Sequence, residues 1–269
     1  MDLLHKTSMQ KIGSSYYLAL SAGYVFALLG WVLIDRWRRE IWGSLPDARF
    51  QRPWRETLWA LLAGIATVGI GLLYSQHLLL PEISSTKSPI AEAANQLLIF
   101  SPFVGLLLLR RQPSASAWLP TGKLPIRFLI GLILAVCALI VFCFVRRTTP
   151  PLLQVMAGVY QPKNFGYAVQ IFLEDFAIAV LFVRLRAALG QKWFLLAIVT
   201  VALLFSGAHY PAKLAAGQPF FAATADVLLD AALVSAVIYF LQRSRDFLWF
   251  WCIHFTMDML QFYAGNPAK

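Results

Sequence analysis

RFLIGLILAVCALIVFCFV, residues 127–145, carries one charge, at its first position. A helix needs about 20 mostly apolar residues to cross the roughly 30 Å hydrocarbon layer of a bilayer. Inside that layer every backbone N–H and C=O must be satisfied by the chain itself, which favours the helix. Seven further stretches read the same way: about 16–34, 57–75, 94–109, 166–185, 193–209, 222–241 and 246–264. The stretch 94–109 is short and contains Ser101-Pro102, where a kink is expected. The expected fold class is therefore all-α: a polytopic membrane protein of about eight transmembrane helices. No polar stretch is long enough to fold alone, so 1–269 reads as a single integral membrane domain.

Composition agrees. The chain is 59% hydrophobic and 13% charged, where soluble domains are about half apolar and about a quarter charged. Mean hydropathy is +0.65. A net charge of +10 invites a nucleic-acid partner, but the basic residues lie in loops beside helices, as the positive-inside rule describes. No nucleic-acid role is expected. Cys137, Cys143 and Cys252 all fall in apolar segments without C-x-x-C or metal-ligand spacing. That pattern indicates neither a disulfide framework nor a zinc cluster. The stretch from Met1 to Ser15 holds Lys6 and Lys11 but no small-residue cleavage site after a short apolar core, so it is not read as a cleaved signal peptide.

The basic residues also suggest an orientation. The segments Arg36 to Arg55, Arg110 to Arg127, Arg184 to Lys192 and Arg243 to Arg245 hold 15 of the 23 Lys and Arg, against 8 on the opposite side. The richer side is expected to be cytoplasmic, which puts both termini outside. A bacterial cytoplasmic membrane is the expected location.

The last four apolar stretches are the ones that carry ionisable residues. Glu174-Asp175 lies mid-way along the fifth, about 15 Å of helix from Arg184. Neighbouring positions point about 100° apart, so both acids do not address one atom, and Glu174 takes the central role. Phe205-x-x-x-His209 ends the sixth stretch with ring and imidazole on one face, and Pro211 is expected to stop that helix. His254-x-x-x-Asp258 lies within the eighth, where an Asp one turn away can orient a His and set its tautomer. Asp226 and Asp230 share a face of the seventh and repel if both are ionised. One of them is then protonated, paired with a cation or exposed to water. Ionisable groups at bilayer depth are costly and mark function, although each of these groups also has a packing-only reading.

Taken together, the three motifs resemble those of the CPBP family, the CAAX-processing and bacteriocin-processing (Abi) intramembrane proteases: E-E-x-x-x-R, then F-x-x-x-H, then H-x-x-x-N or H-x-x-x-D. The similarity covers roughly 166–264. The second and third motifs match in full at Phe205, His209, His254 and Asp258. The first departs: Asp175 stands for its second Glu and Ala179 for its Arg. The resemblance implies a helical bundle with a glutamate-type hydrolase site acting on a membrane-anchored protein or peptide. Glu174 would be the general base toward water. His209 and His254 would hold that water or the oxyanion, and Asp258 would orient His254. Asp175, Phe205, Asp226 and Asp230 would be supporting residues. The metal-free reading is favoured, so no cofactor is expected. Zinc at Glu174, His209 and His254 is the other reading the family allows.

Two alternatives stand beside the peptidase. The missing Arg suits a catalytically inactive relative, an immunity or scaffold protein that binds a membrane peptide. A proton-coupled carrier using Asp226, Asp230 and Glu174 would show broken helices or repeats in both halves, and the sequence shows no such symmetry.

Overall fold

A computed structural model of the chain describes residues 14–37, 40, 48–76, 78, 88–147, 151–215 and 217–264. The expectation about a signal peptide falls mostly outside these residues. All eight apolar stretches are helical: α1 (Ser14–Trp37), α2 (Pro53–Ser75), α3 (Pro89–Ile99), α4 (Ser101–Leu109), α5 (Leu124–Arg146), α6 (Leu152–Val159), α7 (Phe165–Leu189), α8 (Phe194–Ala208), α9 (Tyr210–Ala215), α10 (Phe220–Ser244) and α11 (Leu248–Tyr263). Among the described residues there is no strand. The short helix α6 was not anticipated. The kink expected at Ser101-Pro102 is a 58° bend between α3 and α4.

Five described helical segments are long and apolar enough to cross a membrane, or six if the bent α3–α4 pair is one span. The other two stretches behave differently. Helix α7 has 25 residues but is not among those segments. Helix α11 has 16 residues, about 24 Å, short of a roughly 30 Å core. From Ile171 to Arg184 most α7 side chains are buried, as is much of α11. Hidden among other helices, these two elements can carry polar groups that a lipid-facing helix cannot. The crossing helices show the opposite pattern, with large apolar side chains such as Leu29, Ile65, Leu129, Leu195 and Leu228 facing outward and alanines packed inward. That inside-out arrangement is what a lipid solvent selects.

The chain forms two compact units, each built from separated segments: Met1–Gly43, Lys123–Ile171 and Leu248–Lys269 in the first, Ser44–Gly122 and Phe172–Phe247 in the second. In the first unit α5 packs against both α1 and α11. Trp31 and Trp249, both fully buried, stack with centroids 5.1 Å apart. Gly131 permits the close approach of α5 to α11: a Cβ there would stand 2.7 Å from the Trp249 carbonyl oxygen. At the opposite end of α11, Tyr160 and Thr256 share a 2.7 Å hydrogen bond, and the Tyr263 hydroxyl donates to Asn164.

In the second unit α2 packs on α3 and α4, and α8 on α10. A polar chain ties α2 and α7 to the segment after α4. Arg110 pairs with Glu56, and Gln112 Nε2 donates to the other Glu56 oxygen at 2.6 Å. Arg184 in turn donates to Gln112, to Ser116 O (3.1 Å) and to Val180 O (2.8 Å).

Candidate intramembrane polar site

The second unit holds six of the residues singled out in the sequence. On α7 the burial of the two acids is unequal: Asp175 is 1% exposed, whereas Glu174 is half-buried. Their separation of about 100° around the helix sends one into the packed interior and leaves the other accessible. Ala179, at the Arg position of the first motif, is fully buried. Arg184 follows Glu174 by ten residues on α7. It is fully buried, with its guanidinium held by Gln112 and two backbone carbonyls and set 5.3 Å from the Phe50 ring. The helix runs on to Leu189, about 22 Å beyond Glu174.

Phe205 and His209 share a face as their spacing required, with the ring edge-on to the imidazole at 5.2 Å. His209 itself is exposed and sits in the turn that ends α8. Pro211 does not end the helical path. It stands in the first turn of α9, where a missing N–H costs no helical hydrogen bond, and Lys213 N–H still donates to His209 O at 3.2 Å.

Of the three states open to Asp226 and Asp230, pairing with a cation is the one adopted. Lys213 Nζ lies 3.6 Å from Asp226 and 3.8 Å from Asp230. Gln218 Nε2 also donates to Asp226 at 2.6 Å. Lys213 and Gln218 were missed in the sequence reading. A lysine inside a membrane-length helical segment, Gln191–Ala215, was itself the signal that could have found the first.

The first unit holds His254 and Asp258, both half-buried on α11. The His254 ring lies 5.5 Å from Phe250, one turn earlier, and Phe250 stacks on Tyr24 of α1 at 6.3 Å. Asp258 accepts from Gln261 Nε2 at 3.2 Å. On α1 of the same unit, the Tyr16 ring lies beneath the Arg146 guanidinium at 4.9 Å. Tyr16 and Arg146 are distant in sequence, and no spacing announces them.

The stretch 166–264 expected to carry the motif core is thus divided: Glu174, Asp175, Phe205, His209, Asp226 and Asp230 belong to the second unit, His254 and Asp258 to the first. Among the described residues no three His, Cys, Asp or Glu side chains group as a metal site. Comparison with protein families, curated proteins and solved structures gives no match for this chain.

Proposed function

We propose that this chain is an intramembrane endopeptidase that cleaves a membrane-associated protein or peptide tail, with Glu174 as general base. One observation carries the reading: a half-buried glutamate stands beside a buried aspartate on α7, a helix otherwise withdrawn into the protein. A carboxylate held there is costly unless it serves a cavity or a reaction. In the proposed step Glu174 takes a proton from water as the water oxygen bonds to the scissile carbonyl carbon. His209 and His254 stabilise the resulting oxyanion or hold the water, and Asp258 orients His254. The proton then passes from Glu174 to the leaving nitrogen as the C–N bond breaks.

The second reading is a non-catalytic relative that binds a membrane peptide. The buried Ala179 supports it, because no guanidinium stands at that position and Arg184 is committed to backbone carbonyls. In both readings we place the protein in a bacterial cytoplasmic membrane, with the arginine-rich loops inside and both termini outside.

The test compares membrane peptides and new protein termini in cells carrying wild type or Glu174→Gln, matched for abundance and folding. A terminus produced only by wild type is the expected result and names the substrate. Identical termini from two folded proteins would remove the peptidase reading and leave the peptide-binding one.

A further inference from the structure

Within the second unit, a cavity of about 220 Å³ opens where several membrane-length segments end. Its lining includes Ala48, five residues before the segment that starts at Pro53; Gln191, which starts the segment ending at Ala215; and Arg245, which follows the segment ending at Ser244. Trp54 and Trp193, 62% and 52% exposed, stand in the opening turns of two of these segments, as tryptophans do at the lipid headgroup layer. The cavity therefore lies at that layer.

Its chemistry is two-sided. Ala48, Ala115 and Trp118 are apolar residues of its lining, and Arg186 and Arg245 line it as well. Arg186 also donates to Gln191 at 3.1 Å, which fixes its direction. Trp118 and Arg245 hold φ of 52° and 51°, a region that bulky side chains rarely adopt. Gly190, at φ 79°, leaves its side of the cavity open. Both arginines end helices, and cations there complement the helix dipole. The volume is below the roughly 300–1,000 Å³ of pockets that enclose drug-sized ligands, so it suits a head group whose acyl chains remain outside.

We propose that this cavity binds a phosphate-bearing anion, at this depth the head group of an anionic phospholipid. Planar guanidinium forks match phosphate oxygens in paired hydrogen bonds, and basic pockets at the cytoplasmic face of membrane helices recognise such head groups. The site is independent of the peptidase reading.

The test places wild type, Arg186→Gln/Arg245→Gln and Ala187→Phe in phosphatidylcholine nanodiscs with added phosphatidylglycerol. Retained lipid is counted by native mass spectrometry, and the shift in melting temperature is measured alongside it. Wild type is expected to retain phosphatidylglycerol over phosphatidylcholine. Each arginine lost should weaken binding about 5- to 10-fold. Ala187→Phe, which fills the cavity without touching its charge, should also abolish the preference, and it decides the matter if the double variant fails to fold. Glycerol 3-phosphate added to pure phosphatidylcholine discs separates the sources. Saturable binding that both variants lose would assign the same site to a soluble phosphate ester. Wild-type phosphatidylglycerol retention in either folded variant, or no binding of either probe to wild type, overturns the proposal.

Discussion

Arg184 shows how a residue grouped by sequence with the basic residues of one side becomes a structural centre. Its guanidinium reaches Gln112, Ser116 and Val180 inside the second unit. Removing one partner from such a network leaves the others buried and unsatisfied, which costs more than the net worth of the bonds. Arg184→Met is therefore expected to destabilise the protein by about 3 kcal/mol, read as earlier unfolding in denaturant titrations in detergent. An unchanged midpoint would mean that water replaces the guanidinium. The acids were more legible. Repulsion between Asp226 and Asp230 left protonation, a cation or water open, and only the fold brings Lys213 to both. Glu174 and Asp175 were distinguished by helix geometry alone, and their unequal burial follows the same logic.

At the scale of elements, apolar length located every crossing helix, because the bilayer sets that length. It did not distinguish helices that face lipid from α7 and α11, whose apolar side chains face protein. The glycines separate the two situations further. At Gly131 a Cβ would meet Trp249 backbone atoms at 2.7 and 2.8 Å, whereas at Gly69 of α2 nothing lies within 4 Å. Gly131→Ala should cost about 1–3 kcal/mol through forced separation of α5 and α11. Gly69→Ala should be neutral or stabilise by up to about 1 kcal/mol, the helix-propensity difference. Parallel thermal unfolding of the two variants checks this, and equal shifts would remove the close-packing account of Gly131. The α3–α4 bend was legible from Ser101-Pro102 because proline removes a helical hydrogen bond wherever the chain goes. The interruption at His209 differs: Pro211 opens α9 instead of ending the helical path.

For the whole molecule, four segments grouped on one side by their arginines contribute Ala48, Ala115, Arg186 and Arg245 to a single cavity. That common end agrees with the grouping of these segments on one side, and cysteine labelling can test which side faces the cytoplasm. With the three native cysteines replaced by serine, single cysteines at Ser114 and Gln191 are expected to react with a membrane-impermeant maleimide only after permeabilisation. A cysteine at Lys163 should react in intact cells, and the reverse pattern would invert the topology. The sequence by itself determined the fold class, the helical stretches and the identity of the polar residues placed among them. These follow from one-dimensional facts: apolar run length, proline position and the spacing of ionisable groups on a helix. Only the tertiary structure decided which helices face lipid, which cation serves Asp226 and Asp230, and that Arg184 is buried. It also divided the motif residues between two compact units and gathered Arg186 and Arg245 around one cavity. Those outcomes depend on contacts between residues far apart in the chain, where packing and charge compensation act across distances that local sequence spacing does not encode.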